Sequence, residues 1–203
     1  MNTFLRNLSY KRILLIVKPW LLFLIVILVL RFTGILSALS FVANTALMNI
    51  GVMDVEPNNI AVIQSFDYNF NIKDLNGKII DFNTYKGKTI FINIWATWCG
   101  PCRVEMPTIQ KLYDRVKKEE IIFVMLSVDA PKNHDKILQF ISDNGFTLPI
   151  YQPVGSLPQQ LDVPSIPTTF VISPEGKIVS KKVGVANFDT EKFERFLIRL
   201  NKK

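Results

Sequence analysis

Both cysteines of this 203-residue chain fall in one stretch, Trp95-Ala96-Thr97-Trp98-Cys99-Gly100-Pro101-Cys102. Three residues of separation on a helical turn bring two Cα atoms within disulfide range, so the pair can close without dragging the backbone. The preceding run, Thr89 to Trp95, is almost continuously apolar, as in a strand buried on both faces with helices above and below, and Pro101 suits an early helical position. The motif therefore lies where a buried strand hands over to a helix. There the leading sulfur meets unpaired backbone N–H groups and the positive end of the helix dipole, which favour thiolate and make Cys99 the nucleophile. Cys102, one turn in and more enclosed, stays protonated until it attacks a mixed disulfide. Two blander readings compete. A static bridge closing so short a loop constrains the unfolded chain little. A zinc half-site would need further ligands, for which the chain offers only His134, read as a surface residue at a helix start.

Stepping outward, the elements that must hold this junction are legible in part. Phe66, Tyr68, Phe70 and Ile72 alternate with Asp67, Asn69 and Asn71, the period of a strand, and Asn76-Gly77 offers the positive φ values of a tight hairpin returning through Ile79 to Phe82. After the motif, Ile109, Leu112, Tyr113 and Val116 mark a helical face that Pro107 should kink without ending. Ile121 to Val128 reads as a second buried strand, and Ile137, Leu138 and Ile141 as a helix stopped by Asn144-Gly145. Thr168 to Ile172 and Lys177 to Val183 flank Pro174-Glu175-Gly176 as a hairpin. Phe193, Phe196, Leu197 and Leu200 form a closing helix with Asp189 as its N-cap. The order, hairpin then βαβα, a loop, ββ and α, predicts a three-layer α/β domain over residues 61–203 with a mixed central sheet flanked by helices.

Charge is distributed unevenly. Lys and Arg number 24 against 17 Asp and Glu, for a net charge of +7, but Arg6, Lys11, Arg12, Lys18 and Arg31 precede the first acid, Asp54. Most of the excess thus surrounds an apolar run rather than forming a basic face, which argues against a nucleic-acid partner. From Ile13 to Leu30 the only charge is Lys18, and this stretch reaches about 27 Å as a helix, close to a bilayer's hydrocarbon core. Lys18 and Trp20 suit the headgroup region. The sequence therefore predicts a cytoplasmic basic tail (1–12), a single transmembrane anchor (13–31), an interfacial helix and linker (32–60), and a domain on the extracytoplasmic side. A cleaved secretory signal ending near Ala38-Leu39-Ser40, or a second span over Phe32 to Met53, are the competing readings.

The string Asn93-Ile94-Trp95-Ala96-Thr97-Trp98-Cys99-Gly100-Pro101-Cys102-Arg103-Val104-Glu105-Met106-Pro107 resembles the active site of the thioredoxin superfamily, and within it the membrane-anchored TlpA/ResA-like thiol-disulfide oxidoreductases of bacteria. Asp74 to Lys78, Tyr85 to Lys88 and Val163 to Ile172 are similar to that group's leading hairpin and substrate-side loop. The resemblance implies a thioredoxin-like fold with an N-terminal β-hairpin extension, and a cis peptide at Ile166-Pro167 that places the Ile166 backbone beside Cys99. Glu105 would assist proton exchange at Cys102, while Trp98, Gly100, Pro101, Ile166 and Pro167 would contact substrate. Thioredoxin's buried Asp is replaced here by Asn93, whose amide cannot serve as a base near neutral pH, which leaves Glu105 as the candidate. Trp95 is read as core and Trp98 as a shoulder over the disulfide.

The same resemblance gives a direction. Gly-Pro between the cysteines is shared with thioredoxin, a reductant near about −270 mV, which implies a reductase of protein disulfides that needs no cofactor beyond its own dithiol. A membrane thiol transporter would recharge it, and cytochrome c maturation is one setting in which relatives act. An oxidase is the alternative, and a copper carrier of the Sco type a weaker one, since that family spaces its cysteines three apart and adds a His near the end of the domain. A peroxidase would need Thr and Pro before its first Cys, where Trp95 to Trp98 stand.

Overall fold

The computed structural model describes residues 17–25, 64–116 and 121–201, and the chain divides into two units, 1–43 and 44–203. In the first unit residues 17–25 are helical with every side chain exposed; the rest of the anchor at 13–31, with the segments 1–12 and 32–60, lies outside the described residues, apart from that helix. Among the described residues no helix is long and apolar enough to cross a membrane.

The second unit runs β1 (Gln64–Ser65), β2 (Asn71–Asp74), β3 (Ile79–Asp81), β4 (Ile90–Trp95), α1 (Gly100–Val116), β5 (Ile122–Ser127), α2 (His134–Asn144), β6 (Ile150–Val154), β7 (Thr168–Ile172), β8 (Lys177–Val183) and α3 (Glu191–Asn201). They form one sheet ordered β1-β8-β7-β4-β5-β6-β2-β3. All six residues of β4 are buried, because it pairs parallel with β5 on one side and antiparallel with β7 on the other. Parallel pairing requires a crossover, and α1 supplies it. The mixed sheet agrees with the sequence reading.

The two faces are covered differently. Phe91 and Trp95 of β4 join Met106, Ile109 and Leu112 of α1, Ile137 of α2, and Phe193 and Leu197 of α3 in one core cluster. Ile90, Ile92 and Ile94 point the other way, into Phe66, Tyr68, Phe70 and Phe82. The expectation of helices on both faces is therefore corrected: among the described residues no α-helix contributes to this second cluster, in which aromatic rings cover the isoleucines. Phe70 and Phe82 stack at 4.3 Å between centroids, and Phe66 meets Tyr68 edge-on at 5.0 Å.

Four further expectations change. The alternation from Phe66 to Ile72 is real in burial, but residues 66–70 carry no strand pairing and only β1 and β2 flank them. The loop expected before Thr168 contains β6, which pairs with β5 only through Ile150 and Tyr151, so Pro153 falls beyond that ladder and opposite Ile72 of β2. A proline lacks a donor, and it is tolerated where one neighbour has already ended. Third, the N-cap of α3 is Thr190, whose hydroxyl accepts from the Phe193 N–H at 3.2 Å; Asp189 instead pairs with Lys111 and Arg115 of α1. Finally, His134 does begin α2 but is half-buried, with Nδ1 3.3 Å from the Gln152 side chain. The hairpin turn and the α2 stop hold as read: Gly77 and Gly145 both have positive φ, and the Gly145 N–H closes the helix onto the Ile141 and Ser142 carbonyls.

Candidate active site

Strand β4 ends at Trp95, fully buried, and a short turn closed by Cys99 N–H to the Ala96 carbonyl (3.2 Å) delivers the chain to α1. Cys99 stands at the N-cap: its carbonyl accepts from Arg103 N–H at 3.1 Å, and its Sγ lies 3.2 Å from the Cys102 N–H, where a capping Ser oxygen would sit. Pro101 inside the first turn costs no bond, since those N–H groups have no helical partner. Cys99 and Cys102 are joined as a disulfide, with Cα atoms 5.3 Å apart. Both sulfur residues are buried, at 5% and 1% exposure, whereas Gly100 and Pro101 are exposed and Trp98 is 68% exposed beside them. Opposite, the Ile166-Pro167 peptide is cis, and the Ile166 carbonyl oxygen lies 3.8 Å from Cys99 Sγ. The sequence reading placed these residues together, and they are together.

Glu105 sits one turn beyond Cys102 and is 1% exposed. Its Oε2 accepts from Asn93 Nδ2 at 2.8 Å, and its Oε1 from Ala186 N–H at 3.0 Å. Burial pushes its pKa up to about 8, against the opposing pull of those two donors and of the Lys182 charge. A solvated helix carboxylate is thereby excluded. Asn93, which cannot act as a base, holds Glu105 and also donates to Thr169 Oγ1 at 2.8 Å.

Sequence reasoning missed two contributors. Asp129, just past β5, accepts from the Thr97 N–H at 2.8 Å and the Thr97 hydroxyl at 2.7 Å, holding the turn that precedes Cys99. Its signal was positional, since a polar residue directly after a central strand's carboxyl end lies where α/β sheets gather their sites. Ala186 gave no signal, because its role uses only a backbone N–H.

A strand-to-helix junction bearing two closely spaced cysteines, faced by a cis-proline loop, defines a thioredoxin-like dithiol-disulfide protein. The chain belongs to the AhpC/TSA family, whose model matches residues 65–181. Among curated proteins it is similar to the thiol-disulfide oxidoreductase ResA of Bacillus subtilis strain 168, 35% identical over 117 residues, which are 57% of this chain and 64% of that protein. ResA of Bacillus thuringiensis subsp. konkukian is 31% identical over 133 residues, 65% of this chain and 75% of the relative. Against the first of these the match spans somewhat under two thirds of the relative's length. Among solved structures, StoA from Bacillus subtilis superposes with a TM-score of 0.51 at 26% identity, covering 70% of this chain and 98% of that one. A thiol:disulfide interchange protein of the thioredoxin family from Chlorobium tepidum gives 0.55 at 23% identity over 68% and 97%, a likeness of fold.

Proposed function

We propose that the domain is a thiol-disulfide oxidoreductase that reduces protein disulfides on the extracytoplasmic side of a bacterial cytoplasmic membrane, tethered by residues 13–31. The observation that carries this reading is Cys99 Sγ at the helix N-cap, within reach of the Cys102 N–H and opposite the Ile166 carbonyl. In the dithiol form the same N–H and the helix dipole stabilise a Cys99 thiolate. That thiolate attacks one sulfur of the substrate disulfide, whose other sulfur leaves as thiolate. Cys102 gives its proton to Glu105 and attacks Cys99 Sγ, releasing the second substrate thiolate; two electrons pass to substrate and the enzyme is left as its disulfide. With its pKa raised to about 8, the carboxyl takes this proton through its ionised fraction and, once protonated, can return it to a leaving thiolate. An extended substrate strand would lie across Trp98, Gly100 and Pro101 and pair with the Ile166 backbone ahead of Pro167.

In an oxidising compartment the resting disulfide must be re-reduced, and a membrane thiol transporter is the fitting donor; the anchor raises its effective concentration. Haem-binding cysteines of cytochrome c are one such substrate pair. No further cofactor enters the scheme. Cys102→Ser in the full chain should stop turnover and leave substrates bound to Cys99, identifiable by mass spectrometry. A trap that stays empty in cells exporting the domain overturns the reductase reading, and a potential far above about −180 mV turns it into an oxidase.

A further inference from the structure

Asp129 is 4% exposed and lies outside the dithiol, yet its carboxylate is spent on the segment that carries Cys99. Oδ2 accepts from Thr97 N–H (2.8 Å) and from Ser127 Oγ (2.9 Å), Oδ1 accepts from Thr97 Oγ1 (2.7 Å), and the Asp129 N–H donates to Ser127 Oγ at 3.1 Å. One residue away, Val128 N–H donates to the Trp95 carbonyl at 2.9 Å. The end of β5 is thus stitched to the end of β4 and, through a side chain, to the turn beyond it.

The consequence follows from what else holds that turn. Between Trp95, the last residue of β4, and Gly100, the first of α1, the chain is Ala96-Thr97-Trp98-Cys99. Ala96 is fixed through its carbonyl by Cys99 N–H, and Cys99 through its own carbonyl by Arg103. These bonds tie the turn to α1 but not to the sheet. Thr97 makes the tie to the sheet, with both its backbone donor and its hydroxyl, and Asp129 receives both. Trp98 projects into solvent at 68% exposure and anchors nothing by burial.

We infer that Asp129 is a positioning residue for the redox couple: by clasping Thr97 it fixes the direction in which Cys99 Sγ leaves the turn, and so the effective concentration at which Cys99 and Cys102 meet. The inference rests on the dithiol reading above. Disulfide exchange requires three sulfurs nearly in line, and a nucleophile held in a short-range geometry reacts far faster than a free one. Loosening the turn lets Cys99 swing relative to the helix that holds Cys102. Ring closure then becomes less favoured, and a mixed disulfide on Cys99 is resolved more slowly. An Asn could keep these contacts by turning its NH2 toward the Thr97 hydroxyl, which accepts as well as donates, so Ala is the informative replacement.

The couple is read by equilibrating the purified full chain in detergent with a glutathione buffer, protein disulfide plus two glutathione thiols giving protein dithiol plus glutathione disulfide, and quantifying free thiol by alkylation. Asp129→Ala should lower the equilibrium constant for ring closure about tenfold, a shift of about 30 mV toward the oxidising side. It should also lengthen the life of a glutathione adduct on Cys99. Thr97→Val, which keeps the backbone bond and loses the hydroxyl, should move both readouts the same way by a smaller factor, about threefold, and Thr97→Ser should restore wild-type values. A folded Asp129→Ala protein with an unchanged potential overturns the inference even if its melting temperature falls, because a scaffold role alone does not move the couple. Should Asp129→Ala fail to fold, Thr97→Val decides by the same criterion. A wild-type protein whose disulfide does not equilibrate with glutathione at all condemns the dithiol reading instead, so the two failures are told apart.

Discussion

The two faces of β4 arise from one six-residue strand and bury different things. Ile90, Ile92 and Ile94 enter a layer built largely of aromatic rings, in which the Tyr68 hydroxyl and Thr168, opposite Ile94 and donating to the Ser165 carbonyl at 2.7 Å, are buried polar exceptions. Phe91, Asn93 and Trp95 face the helices, and there the core holds the disulfide, while Asn93 is bonded to Glu105 and Thr169. Buried polar groups are costly unless paired, so the gathering of the disulfide, Asn93 and Glu105 on the helical face separates a layer that mainly supplies stability from one that supplies chemistry. The lesson is that burial of a strand on both sides says nothing about which side works.

The separation can be broken experimentally. Phe82→Ala removes the ring stacked on Phe70 and touching Tyr85, and should cost about 3–5 kcal/mol in urea unfolding while leaving the glutathione equilibrium as it was. A shift of the couple comparable with that of Asp129→Ala would show that the faces are not independent. Glu105→Gln sharpens the other side. Between the ordinary carboxyl pKa of 4.5 and about 8 the folded protein keeps a proton that the unfolded chain has released, so stability falls as pH rises through that window. At about 1.4 kcal/mol per unit of separation the loss amounts to a few kcal/mol. With the cysteines held oxidised, unfolding midpoints at pH 5 and pH 8.5 should differ for the wild type and converge for the Gln variant; a persisting slope would place the titration elsewhere. Gln can keep both contacts, because the Asn93 amide can turn its oxygen toward it. The smallest effect should be Thr190→Ala, about 1 kcal/mol from the lost cap of α3, with the redox couple untouched.

Much of this was legible because the signals are local. The Cys99–Cys102 spacing, the apolar run through β4, and the glycines at 77 and 145 each act within a few residues. What escaped depends on partners distant in the chain. Strand β6 follows Pro149 and carries Pro153, and its pairing makes sense only once β2, about eighty residues earlier, lies beside it. Glu105 was named through the family resemblance, but its enclosure by Asn93 and the Ala186 backbone could not be read from the sequence. Asp189 was favoured as a cap by residue type, but Arg115 and Lys111 on α1 draw it away and leave that position to Thr190. Helices were expected on the aromatic face because the continuous apolar run of β4 reports burial on both sides and not what covers each.

Among the described residues the outermost strands of the sheet, Gln64–Ser65 and Ile79–Asp81, are two and three residues long. A visiting polypeptide seeking a row of free amides along the rim finds almost none at either margin, which also discourages rim-to-rim association between copies. Short margins leave the bend before Pro167, whose Ile166 carbonyl lies 3.8 Å from Cys99 Sγ, as main chain that a visitor meets beside the sulfur.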